Sequence, residues 1–125
     1  MKAINLTLPY RLPLWNQIMR MHWAKRTREL RIVAWHVLAA MAKEKVRRPA
    51  KPIERARVTI RRYSPKVPDK DGLSAKHLLD ILQPLSKRHP CGLGIIAGDD
   101  PEHLESTIEH VHSFETRTDV TIEAI

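Results

Sequence analysis

The residues with the clearest chemical potential are aspartates. Asp69-Lys70-Asp71-Gly72 is followed by Lys76 and Asp80, and a second pair, Asp99-Asp100, comes directly after an apolar run. Two aspartates at i and i+2 converge on one point if the chain bends between them, and Gly72 permits such a bend at little steric cost. Mg²⁺ takes hard oxygen ligands and keeps several waters, so two or three carboxylates suffice to hold it. Carboxylates brought together repel, and a bound cation offsets that cost. The alternative is structural: Asp-x-Asp-Gly is common turn chemistry, and Asp99-Asp100-Pro101 is an ordinary turn or helix start. Lys76 and Asp80 are four residues apart and share a face on a helix. There they make a modest surface ion pair, or Lys76 offsets charge on a phosphate while Asp80 orients it.

A second set of residues suits nucleic acid. Residues 14–27 mix Asn16, Arg20, His22, Lys25 and Arg26 with Trp15 and Trp23, combining hydrogen-bond donors with rings on which bases stack. The two tryptophans serve equally well as anchors of a small core, and Trp35 reads as a core anchor or a dimer contact. Arg55, Arg57 and Arg61 share one face of an expected strand, where they repel unless solvated or facing anions. That face is a candidate DNA surface. His110 and His112 could share a strand face, but no third ligand stands at zinc-motif spacing. Cys91 has no assignable base beside it, and no phosphate-cradling glycine loop of standard spacing is present.

The elements that must position these groups follow from periodicity. Residues 3–9 alternate, with Ile4, Leu6 and Leu8 on one side, and predict a first strand. Pro9 and Pro13 interrupt it, and residues 14–27 read as a loop or short helical turns. Leu30, Val33, Ala34, Val37, Leu38 and Met41 predict a helix over 28–45. A basic connection with Pro49 and Pro52 comes next. Ala56, Val58 and Ile60 predict a strand over 53–63. Leu78, Leu82 and Leu85, with Leu79 adjoining, predict a helix from about Gly72 to Leu85, with Ser74 as an early cap and Pro84 limiting its end. Residues 86–98 read as a long excursion ending in a short buried run, Leu93 to Ile96. One helical turn is expected over 102–106, then strands over 107–114 and 118–125, joined as a hairpin around Thr116 and Arg117. The order defines an α+β fold, a small mixed sheet with helices packed on it.

Bulk properties bound the function. The 125 residues fit one domain, 1–125. Twenty-two Lys and Arg against 14 Asp and Glu give +8, which attracts polyanions, although it also serves solubility. The single cysteine excludes an internal disulfide and points to a reducing, cytoplasmic setting. The first 15 residues lack the pattern of a signal peptide, and no apolar run approaches membrane-spanning length.

The acidic segment, together with the residues C-terminal to it, resembles the RusA-like crossover junction endodeoxyribonucleases of bacteria and their phages and prophages. The matching residues are Asp69-Lys70-Asp71-Gly72-Leu73, Lys76, Asp80-Ile81-Leu82, Gly94-Ile95-Ile96 and Asp99-Asp100. The first strand ending in Pro9, then Asn16 and His22-Trp23, is similar too. The resemblance implies a RusA-like fold and a homodimer that resolves four-way (Holliday) junctions by hydrolysis in DNA recombination and repair. It implies Mg²⁺, with Mn²⁺ as substitute, on Asp69, Asp71 and Asp100. It also implies Lys76 as the essential lysine and Asp80 and Asp99 in support. Branched double-stranded DNA would be gripped by Arg20, His22, Lys25, Arg26, Arg55, Arg57 and Arg61. Gly72 stands where the best-studied branch has asparagine, and residues 86–91 resemble an insertion. A non-catalytic DNA-binding module, or a nuclease for other branched DNA, is the competing expectation.

Overall fold

The computed structural model describes residues 3–69 and 71–125. In chain order it holds β1 (Ile4–Leu8), α1 (Trp15–Arg20), α2 (Trp23–Lys43), β2 (Ala56–Ser64), α3 (Lys76–Leu82), β3 (Leu104–His112) and β4 (Arg117–Ala124). The strands form one sheet in the order β1-β4-β2-β3. β4 runs antiparallel to both β1 and β2, whereas β3 runs parallel to β2, with α3 in the connection between them. This is the mixed sheet with packed helices that the sequence predicts. No helix among the described residues is long and apolar enough to cross a membrane.

Period-two burial makes the sheet one-sided. Ile4, Leu6 and Leu8 of β1, Ala56, Val58 and Ile60 of β2, and Val120 and Ile122 of β4 join one core cluster. Onto it pack Val33, Ala34, Val37, Ala40 and Met41 of α2 and Leu78, Ile81 and Leu82 of α3. Tyr10 ties the end of β1 to α2: its hydroxyl donates to Glu29 at 2.6 Å, and its ring stacks on His36.

Four expectations about elements are corrected. Residues 14–27 hold the short helix α1, in keeping with the helical turns expected there, but α2 begins at Trp23 rather than at residue 28. α3 is short, from Lys76 to Leu82, and Leu85 is exposed beyond it. Gln83 precedes Pro84 and is driven to extended backbone, which stops the helix. The helical turn expected over 102–106 is a turn ending at His103, and β3 begins at Leu104. The last two strands are not a hairpin, because β2 lies between them.

The excursion after α3 folds back on the helix end. The N–H groups of Leu93, Ile95 and Gly94 donate to the carbonyls of Ile81, Leu82 and Gln83, satisfying the orphan acceptors of the last turn. Gly92 is required there, since a Cβ would stand 2.4 Å from the Gln83 carbonyl oxygen.

Candidate functional site

The two aspartate clusters are both built as turns. In the first, the Gly72 N–H donates to the Asp69 carbonyl at 2.8 Å, and the Gly72 carbonyl accepts from Trp15 N–H at 2.8 Å, fastening the turn to the start of α1. Asp69 and Asp71 are exposed, and Lys70 lies outside the described residues. In the second, the Asp100 carboxylate accepts from the Glu102 N–H at 3.0 Å and faces His103 Nδ1 at 2.8 Å. The Asp100 carbonyl accepts from the N–H groups of His103 and Leu104. The hydrogen bond with His103 is the main cause that holds the Asp100 carboxyl below the usual carboxylate range. Gly98 leaves room for the pair, because a Cβ there would come within 3.0 Å of Asp100 Oδ2. Asp99 is exposed. Lys76 Nζ stands 3.7 Å from Asp80 Oδ2, the i,i+4 pair expected on α3, and His89 Nδ1 stands 4.0 Å from the other Asp80 oxygen.

These turns do not assemble a metal site. Among the described residues, no group of three or more His, Cys, Asp or Glu side chains is placed to hold a metal ion. This corrects the expectation of a Mg²⁺ or Mn²⁺ centre on Asp69, Asp71 and Asp100. It also corrects the metal-dependent endonuclease activity that such a centre would serve, including cleavage of Holliday junctions. The physical reason is local. Asp100 is engaged by His103 and the Glu102 amide, Asp80 pairs with Lys76, and the Asp69–Gly72 segment closes as its own turn.

The strand arginines meet anions supplied by the protein itself. Arg57 Nε lies 3.1 Å from Glu105 of β3 and its Nη1 3.6 Å from Glu123 of β4, while Arg61 Nε lies 2.9 Å from Glu109. Each partner is directly opposite in the register. Cross-strand pairing therefore resolves the repulsion that the sequence poses. Arg55 is exposed just before β2.

The excess charge lies elsewhere. Residues 14–51 hold ten Lys and Arg against two Glu, whereas the remaining residues hold twelve of each sign. The whole +8 thus sits on α1, α2 and the connection to β2. Arg20, Lys25, Arg28 and Arg31 are exposed there and enter no ion pair among the described residues. Arg26 is half-buried and donates to the Ile18 carbonyl. His22 caps α2, its Nδ1 accepting from Ala24 N–H at 3.3 Å, and its ring lies against Trp23. Trp23 is 74% exposed and Trp35 69%, and Trp15 is also exposed, so none of the three anchors the core.

One charged residue was missed by sequence reasoning. Arg62 lies on the inward face of β2 and is only 3% exposed. It faces a pocket of about 320 Å³ lined by Arg11, Asn16, Gln17, Ser64, Lys66 and Asp69. The signal was available, since position 62 continues the 56, 58, 60 alternation and puts a charge where an apolar residue is due.

No family model matches the chain, and no curated protein or solved structure matches it either.

Proposed function

We propose that this chain is a DNA-binding module, built on a RusA-like domain, that grips branched double-stranded DNA without metal-dependent cleavage. The observation that carries the reading is the confinement of the entire +8 charge to residues 14–51, beside exposed tryptophan rings. Unpaired cations displace counterions from a phosphate backbone and supply affinity without base readout. Exposed rings of Trp15 and Trp23 add faces on which unstacked bases at a branch point can lie. Arg20, His22, Lys25 and Arg26 belong to this surface. Arg57 and Arg61, held by glutamates, contribute less.

The test is fluorescence anisotropy with a labelled four-way junction and a linear duplex, in Mg²⁺ and in EDTA. The expected result is binding that weakens steeply with salt and is the same with and without the chelator, with both substrates left intact. Absence of binding, or binding insensitive to salt, removes the DNA reading; cutting that requires Mg²⁺ removes its non-catalytic part. Ile32, Trp35 and Leu38, exposed three residues apart on α2, support a homodimer as part of the same reading. Sedimentation velocity is expected to give the mass of two chains, and a monomer would remove that part.

A further inference from the structure

Arg62 is a buried cation without a carboxylate partner. Its Nε donates to the Leu12 carbonyl at 2.7 Å and its Nη1 to Ser64 Oγ at 3.3 Å. Both acceptors are neutral, and no ion pair among the described residues involves it. Nη2 makes no hydrogen bond among the described residues, yet it is not one of the fully enclosed unpartnered atoms. Arg62 itself lines the pocket. A buried charge left unpaired is costly, and an anion paired with it would offset that cost.

The surroundings deepen the imbalance. Arg11 and Lys66 line the same pocket, and Asp69 is its single carboxylate, so three cations face one anion. Burial, and after it the charge of Arg11, lowers the Arg62 pKa from the ordinary guanidinium value. No carboxylate acts in the opposite direction. The polar side chains of Asn16 and Gln17 complete a lining able to donate hydrogen bonds.

We infer that this pocket binds a phosphoryl group, with Arg62 as its buried anchor and Arg11 and Lys66 at its rim. A guanidinium matches phosphate geometry with two parallel donors, and the charge-assisted bonds that result are about twice as strong as neutral ones. The phosphate belongs either to a small molecule or to a DNA strand, by its end or its backbone. The pocket stands whether or not the helical layer binds DNA.

The experiment is calorimetric titration of the full chain with inorganic phosphate, against chloride at matched ionic strength. Saturable heat with phosphate is expected. In the Arg11→Ala/Lys66→Ala double variant, whose changes lie at exposed positions, affinity is expected to fall at least roughly tenfold, the effect of removing one charge-assisted bond. Arg62→Met should abolish binding, with circular dichroism showing whether it folds; the double variant decides the matter if it does not. Competition by 5′-phosphorylated and 5′-hydroxyl oligonucleotides separates the sources. Stronger competition by the first assigns the pocket to a strand end, equal competition to backbone phosphate, and none to a small molecule. Phosphate heat no greater than that of chloride, or binding unchanged in the double variant, overturns the inference. Phosphate binding without DNA binding leaves the pocket standing and sinks only the proposed function.

Discussion

At the scale of single residues, the polar groups on the buried side carry more information than the aspartates that first attract attention. Arg62 and His77 both occupy inward positions where apolar side chains are due. His77 is buried on α3, and neither ring nitrogen has a partner among the described residues. Burial, the largest cause, lowers its pKa from the ordinary histidine value; Arg26 and Lys76 act in the same direction, and Asp80 and Glu29 oppose them. The unfolded chain takes up a proton near pH 6.5 and the folded one only at lower pH. Folded stability is therefore lost as pH falls from about 6.5 through the depressed folded value. His77→Leu keeps a similar volume and removes two unpartnered nitrogens, so it is expected to stabilise by about 1–3 kcal/mol at neutral pH. The gain over the parent should widen at pH 5.5. Urea unfolding at both pH values reads this; a variant less stable than the parent would mean that His77 has a partner in solution.

At the scale of elements, legibility followed the strength of the alternation. β1 and the first half of β2 are readable because every second residue is apolar and buried. β2 extends to Ser64 although its last inward positions are Arg62 and Ser64, which a hydrophobic pattern cannot count. The start of α2 was hidden because its first turns are basic and exposed, so no apolar stripe marks them. The acidic motifs were legible as residues, but their grouping was not. Whether two turns far apart in the chain meet depends on tertiary contacts that spacing does not encode. Strand pairing failed in the same way. β3 and β4 are consecutive and their spacing predicts a hairpin, yet β4 fills the gap between β1 and β2 and pairs with both. A chain ending before Arg117 would lose Val120 and Ile122 from the core and leave β1 unpaired. It is expected to show no cooperative unfolding transition by circular dichroism. A cooperative transition like that of the full chain would contradict the placement of β4 inside the sheet.

At the scale of the whole molecule, charge is divided rather than spread. The open face of the sheet carries both signs in register, Arg57 and Arg61 against Glu105, Glu109 and Glu123, while the helical layer and its connection carry the excess. Exposed pairs of the first kind are worth only about 0–1 kcal/mol each and are already neutralised, so they release few counterions when a polyanion arrives. Unpaired cations of the second kind release nearly one each. Replacing Arg20, Lys25, Arg28 and Arg31 by glutamine is therefore expected to flatten the dependence of log affinity on log salt by roughly 0.9 for each phosphate no longer neutralised. Arg57→Gln with Arg61→Gln should leave that slope unchanged and cost at most about 1 kcal/mol of stability for each pair broken. Anisotropy titrations on one duplex across a salt series measure both. A slope that survives the helical substitutions and falls with the strand substitutions would move the DNA surface from α1 and α2 to the open sheet, where the glutamates would have to yield their arginines to phosphate.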